Sequence, residues 1–162
     1  MSKSKQAVTD PARARPTQDA RAQTSRQWPY IASALLSLVG LVDALYLTIK
    51  HLSGQGVQCT VTGGCEEVLT SAYATIGGYP LAAFGAVAYF TVFSLATLAL
   101  YGYRIAPRLL FYLVAAMTLT SLFLIYAQAF LIGKWCQFCL LSAAVTFCLM
   151  GIALVGRFAR AR

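Results

Sequence analysis

The chain has 162 residues, of which 59% are hydrophobic and only 11% charged, against roughly 25% charged residues in an ordinary soluble domain. A soluble globule does not fit this composition. The net charge of +8 lies at the edges of apolar blocks, so it does not form the stripe that follows a phosphate backbone, which argues against nucleic-acid binding.

The N-terminal stretch, residues 1–27, is rich in Ala, Arg, Gln, Ser and Thr with almost nothing to bury, and is expected to be a disordered basic tail. It is too long for a signal-peptide n-region, so the first apolar span is expected to stay as an anchor. Four charge-poor runs follow. Tyr30 to Ile49 holds Asp43 as its one charge, while Pro80 to Tyr103, Leu109 to Gly133 and Trp135 to Gly156 hold none. Each is long enough to cross a hydrocarbon core of about 30 Å as a helix. None shows the sustained alternation of a strand. Pro29, Pro80 and Pro107 each precede a span, where a first-turn proline loses no helical bond. The expected fold is therefore an all-α membrane protein, a four-helix bundle over 28–158, with 159–162 as a second basic end.

Eleven of the thirteen Lys and Arg residues fall in the tail, in the second connection (Arg104, Arg108) or at the C-terminus (Arg157, Arg160, Arg162). The first and third connections hold only Lys50 and Lys134. By the positive-inside rule both termini are cytoplasmic and those two connections face outward.

Cys59 and Cys65 lie in the first outward connection. The loop between them carries Gly63 and Gly64, and closing seven residues stabilises by only about 2.4 kcal/mol from loop entropy. A pliable, exposed pair suits disulfide exchange better than stapling. After it, Val68, Leu69, Ala72, Tyr73 and Ile76 recur on one helical face up to Gly77-Gly78. This predicts a short amphipathic helix at the membrane surface, able to roof a pocket.

Trp135-Cys136-Gln137-Phe138-Cys139 opens the last span. The spacing puts both sulfurs on one face, and the helix N-terminus together with Lys134 favours the thiolate of Cys136. Cys136 is expected to face water, with Cys139 about 4.5 Å deeper toward lipid. An inert disulfide or half of a metal site are the other uses of such a pair. Cys148 is expected to be a buried packing residue. Asp43, inside the first span, is either a packing residue or a proton donor, since intramembrane carboxylates usually face the protein interior. Tyr126 and Gln128 are pocket candidates by depth alone, and His51 is expected to be solvated at the interface.

Cys65-Glu66-Glu67-Val68-Leu69-Thr70-Ser71, followed by Pro80, Phe84-Gly85 and Cys136-Gln137-Phe138-Cys139, resembles the bacterial homologues of vitamin K epoxide reductase over about residues 30–156. The resemblance implies a four-helix bundle around a quinone (ubiquinone or menaquinone), with Cys136 and Cys139 as the redox centre. It implies Cys59 and Cys65 as the shuttle pair and a polar contact from Ser71 near the quinone. It also implies a separate thioredoxin-fold disulfide oxidase as partner, a bacterial inner or plasma membrane setting, and oxidation of a partner dithiol in support of disulfide formation. Electrons would pass from the partner to Cys65, from Cys59 to Cys136, and from Cys139 to the quinone. Disulfide bond formation protein B has similar chemistry, but its quinone-proximal pair comes first in the chain. Two other classes compete: a cysteine-based heavy-metal ion transporter, which should carry a cytoplasmic thiol pair, and a non-enzymatic scaffold with a stapled loop, which has no use for the second pair.

Overall fold

The computed structural model describes residues 15–54, 56–57, 63–71 and 74–161, and their side chains except at 15–26, 76 and 159–161. Helix α1 (Arg15–Leu52) is followed by α2 (Cys65–Leu69), a two-stranded hairpin of β1 (Thr75–Ile76) and β2 (Tyr79–Pro80), α3 (Leu81–Leu100), α4 (Ala106–Tyr126), a π-helical turn (Ala127–Ile132) and α5 (Gln137–Ala161). Four segments are long and apolar enough to cross a membrane: Gln27–Leu52, Leu81–Leu100, Ala106–Ile132 and Gln137–Phe158. They form a four-helix membrane bundle in which α1 packs chiefly on α3 and α5, and α4 on α5 and α3.

Helix α1 begins within the tail that composition predicts to be without structure. Ala, Arg and Gln are good helix formers, and a helix already nucleated by an apolar span propagates at little cost. Pro29 consequently lies inside α1 instead of ahead of it. Its ring is buried close to Gly156 of α5. The other two prolines sit as expected, Pro80 as the extended residue before α3 and Pro107 in the first turn of α4.

The amphipathic helix is shorter than its apolar pattern suggests. α2 ends at Leu69, with Thr70 capping it. Ala72 and Tyr73 lie outside the described residues, and Thr75–Ile76 pairs antiparallel with Tyr79–Pro80. Gly77 and Gly78 have φ of 59° and 85°, the two positive values that a tight hairpin turn requires and that glycine adopts without strain. A Gly-Gly turn closed the segment as a hairpin where periodicity alone suggested continued helix.

The core has two parts. Between the helices, Ala44, Ala86, Tyr89, Val92, Ala99, Ala106, Leu110, Val114, Val145 and Leu149 are buried together, and Ser33 and Ser37 are buried on α1. Small residues let helix backbones approach where lipid offers no hydrophobic drive to associate. Large apolar side chains such as Val42, Val87 and Leu119 point outward, as a lipid-facing surface requires. At the end of the bundle where α1 and the π-turn finish and α3 and α5 begin, a second cluster joins Leu47, Val57, Cys65, Val68 and Cys136.

Candidate functional site

Cys136 is the residue just before α5 and is 0% exposed. Its carbonyl accepts the Leu140 N–H at 3.0 Å, the first bond of the helix. Its sulfur accepts a hydrogen bond from the Cys139 thiol and further ones from the backbone N–H groups of Cys139 and Phe138. The thiol therefore sits at the N-terminus of α5 as a serine or aspartate cap would. Its pKa is held below the ordinary thiol range, chiefly by the Cys139 hydrogen bond, against an opposing push from burial and, more weakly, from the charge of Asp43. Lys134 is not among the causes. It pairs with Glu67 at 3.8 Å on a half-exposed surface, so the expected lysine contribution is replaced by the helix terminus and the neighbouring thiol.

The expectation that Cys136 faces water also fails, because the first connection lies over it. Gly64 makes this possible. A Cβ there would meet the Lys134 Cβ at 3.0 Å and the Trp135 backbone at 3.0–3.1 Å, so the chain leading into Cys65 lies directly on the chain leading into Cys136. Glu66 holds the loop from its other side, its Oε2 accepting the Val57 N–H at 2.9 Å. Cys65 is 1% exposed and disulfide-bonded, not the exposed thiol the pliable loop suggested. Cys59 lies outside the described residues. Cys136 and Cys139 are both free thiols. Cys148 is free too but exposed on the lipid-facing side of α5, contrary to the buried packing role expected of it.

Below Cys136 lies a cavity of about 450 Å³ between the helices. Cys139 is on its wall, as are Asp43 and His51 of α1, Tyr89 of α3, Gln128 of the π-turn and Ser142 and Thr146 of α5. Val68, Leu69, Ser71, Ala74 and Pro80 contribute from α2 and the hairpin, so this segment does close over the cavity, though as helix plus hairpin. Ser71 donates its hydroxyl proton to the Val68 carbonyl at 2.7 Å, leaving its oxygen free to accept.

Two polar groups that the sequence left undecided or unnoticed are central. Gln128 is 2% exposed, and its Oε1 accepts the Cys136 N–H at 2.8 Å. The π-turn gives it this direction, such turns being frequent at functional sites. Tyr126, the other depth-based candidate, instead faces outward and stacks with Phe130 at 5.0 Å. Tyr89 is 1% exposed, its hydroxyl within 2.8–3.0 Å of Ser142 and Thr146. The spacing of Ser142 and Thr146 by four on an uncharged span was the one signal that could have marked this network.

The cavity is suited to a flat, mostly apolar ring with carbonyl edges. Its volume falls in the range of small-molecule sites, which combine apolar walls with a few placed polar groups. Here those groups are Ser71, Gln128, Tyr89 and Asp43, and the Asp43 Oδ2 is buried without a hydrogen-bond partner. The residues present fit a quinone.

Fold and site together define a multi-pass membrane protein in which a thiol pair, one member buried and the other partly buried, opens onto an apolar cavity. The chain belongs to the vitamin K epoxide reductase family, matching it over residues 31–154. It is also 32% identical over 123 residues to a curated protein of Arabidopsis thaliana named Thiol-disulfide oxidoreductase LTO1, an alignment covering 70% of this chain and 33% of that protein. The chain thus spans about a third of the length of this relative.

Proposed function

We propose that the protein is a membrane thiol oxidoreductase that takes electrons from an external dithiol, passes them through two cysteine pairs and delivers them to a membrane quinone. The observation that carries this reading is the position of the second pair. Cys136 shares a buried cluster with the disulfide-bonded Cys65, and Cys139 lines the apolar cavity. One thiol therefore adjoins a disulfide and the other adjoins the space where a lipid-soluble acceptor fits.

Thiol chemistry sets the order of events. A partner dithiol, of thioredoxin-fold type, attacks the Cys59–Cys65 disulfide and becomes a disulfide itself, leaving two reduced thiols. Cys59 then attacks Cys136 of an oxidised Cys136–Cys139 pair, and Cys65 closes the shuttle disulfide again. This leaves Cys136 and Cys139 reduced and the Cys59–Cys65 pair oxidised. A bound quinone supplies the terminal chemistry, accepting two electrons and two protons. Cys136, stabilised as thiolate by Cys139 and the α5 N-terminus, is suited to be the leaving sulfur when Cys65 attacks Cys59 of the mixed disulfide and closes the shuttle pair. Gln128 fixes the backbone of Cys136, and Ser71, α2 and the hairpin cover the cavity against water. Both termini are cytoplasmic and both pairs lie on the outer side, which follows from the distribution of Lys and Arg and from the need for a compartment where disulfides persist.

The test is dithiol-driven reduction of a quinone by purified protein in lipid nanodiscs. Single serine substitutions at Cys59, Cys65, Cys136 and Cys139 should each abolish it, and Cys148→Ser should not. Cys139→Ala should accumulate a Cys59–Cys136 disulfide. A partner trapped directly on Cys136 in otherwise intact protein would show that the first pair is not a shuttle.

A further inference from the structure

Asp43 has no part in the events above, yet it is the least explained group in the bundle. It is 8% exposed, on the cavity wall, midway along the first span. Its Oδ2 is, among the described residues, the single buried side-chain nitrogen or oxygen without a hydrogen-bond partner. A polar residue that serves packing alone is bonded, because burying an unbonded oxygen loses its hydration with nothing in return. No Lys or Arg is among the residues lining the cavity, and His51 is eight residues farther along the same helix, about 12 Å by helical rise.

The titratable groups that share the cavity end with Asp43 come from two other elements. α3 supplies Tyr89, whose hydroxyl is already engaged by Ser142 and Thr146. α5 supplies Cys139, and Cys136, just before the helix, packs against Cys139 in the cluster behind the cavity wall. α4 contributes no titratable side chain to the cavity, and the π-turn contributes the neutral Gln128. Among the residues lining the cavity, Cys139 is thus the proton source that shares its wall with the unbonded carboxyl oxygen. The charge of Asp43 opposes the thiolate of Cys136, so a proton arriving on Asp43 makes that thiolate easier to form.

We propose that Asp43 is the proton-holding residue of this cavity, its carboxylate taking the proton released by Cys139 on oxidation of the Cys136–Cys139 dithiol and returning it, as the acid, to an oxygen of the bound quinone. The proposal rests on the reading of the pair and cavity given above. Forming the Cys136–Cys139 disulfide releases two electrons and two protons, and the quinone takes up the same number of each. One proton passes from the Cys139 thiol through Asp43 Oδ2. The other leaves Cys136 for the outer solution as its thiolate forms, and is matched by one that the quinone draws from that solution. Asp43 ends the turnover in its starting form.

Two measurements on Asp43→Asn in nanodiscs test this. In reduced, quinone-free protein, the pH of half-maximal labelling of Cys136 by iodoacetamide should fall, because the opposing charge is gone. In turnover, kcat for quinone reduction should fall by about 100-fold, within the usual range for a lost proton-transfer group, with KM little changed. Thiol exchange between the dithiol and the Cys59–Cys65 disulfide should keep its wild-type rate, and Asp43→Glu should restore most of kcat. An unmoved labelling pH, or wild-type kcat in Asp43→Asn, overturns the proposal. If wild-type protein itself reduces no quinone, the function proposed above has failed and Asp43 has no acceptor to serve. If Asp43→Asn does not fold, Asp43→Glu carries the labelling test: the longer carboxylate shifts the Cys136 value if the two groups are coupled, and an unchanged value refutes the coupling.

Discussion

Replacing Gly40 by alanine tests the packing that holds Tyr89 in place. A Cβ built on Gly40 falls within 3.0 Å of three carbons of the Tyr89 ring, closer than real Cβ atoms approach anything. The ring has little freedom to retreat, being 1% exposed and tied through its hydroxyl to Ser142 and Thr146. Helix propensity alone favours the alanine by about 1 kcal/mol. Overpacking a filled site costs about 1–3 kcal/mol, and releasing a bond of the tyrosine hydroxyl costs about 1 kcal/mol more. The variant should therefore be less stable by about 1–3 kcal/mol on balance. Equilibrium unfolding by SDS in mixed micelles measures this, and the decisive comparison is a double-mutant cycle with Tyr89→Ala. With the ring gone, Gly40→Ala should become neutral or stabilising. Equal costs in both backgrounds, or a stabilised single variant, would refute the assignment of Gly40 as the space for the ring.

Cys139→Ala should raise the pH at which Cys136 forms its thiolate, because the main influence holding that thiol below its ordinary range is removed. Ultraviolet thiolate absorbance in a background lacking the other cysteines reads the shift, and a fall or no change would contradict the hydrogen-bond direction. Gln128→Leu strands the buried Cys136 N–H and should cost about 1–3 kcal/mol in the same unfolding assay. Glu67→Gln, which breaks a half-exposed pair with Lys134, should change stability by less than about 0.5 kcal/mol. Glu66→Ala removes the acceptor of the Val57 N–H and should cost about 1 kcal/mol while speeding proteolysis of the first connection.

The four spans were legible because charge stops where lipid begins, and Arg104 with Arg108 marked the turn between the second and third without ambiguity. The thiol pair at the head of the last helix was legible from its spacing. The faces of the helices were not. In a soluble bundle the polar side announces itself, whereas here Val87, turned to lipid, and Val92, in the core, belong to the same solvent class. Gln128 and Tyr126 therefore looked equivalent by depth, and only the packing separated them. Cys148 was misjudged for the same reason, since an apolar exterior accepts a thiol as readily as an apolar interior. The hairpin after α2 was missed because the apolar repeat from Val68 to Ile76 outweighed the Gly77-Gly78 turn that ends it. The site itself draws on every span, and no linear pattern brings Asp43, Tyr89, Gln128 and Cys139 to one cavity.

The π-turn at Ala127–Ile132 makes chain length, more than residue identity, the sensitive property of this segment. A π-turn is what remains when a helix carries one residue more than its α-helical path needs while both flanks stay pinned. Upstream, α4 is pinned by Leu110 and Val114 in the core. Downstream, Gln128 holds Cys136. Deleting any one residue of the turn would let a regular helix run between the same flanks, but it would remove the widened turn that aims the Gln128 amide at the Cys136 N–H, taking the amide out of register. Substitutions at the lipid-facing Phe130 or Leu131 leave that register untouched, so variation among relatives should appear here as changes of residue and not as insertions or deletions.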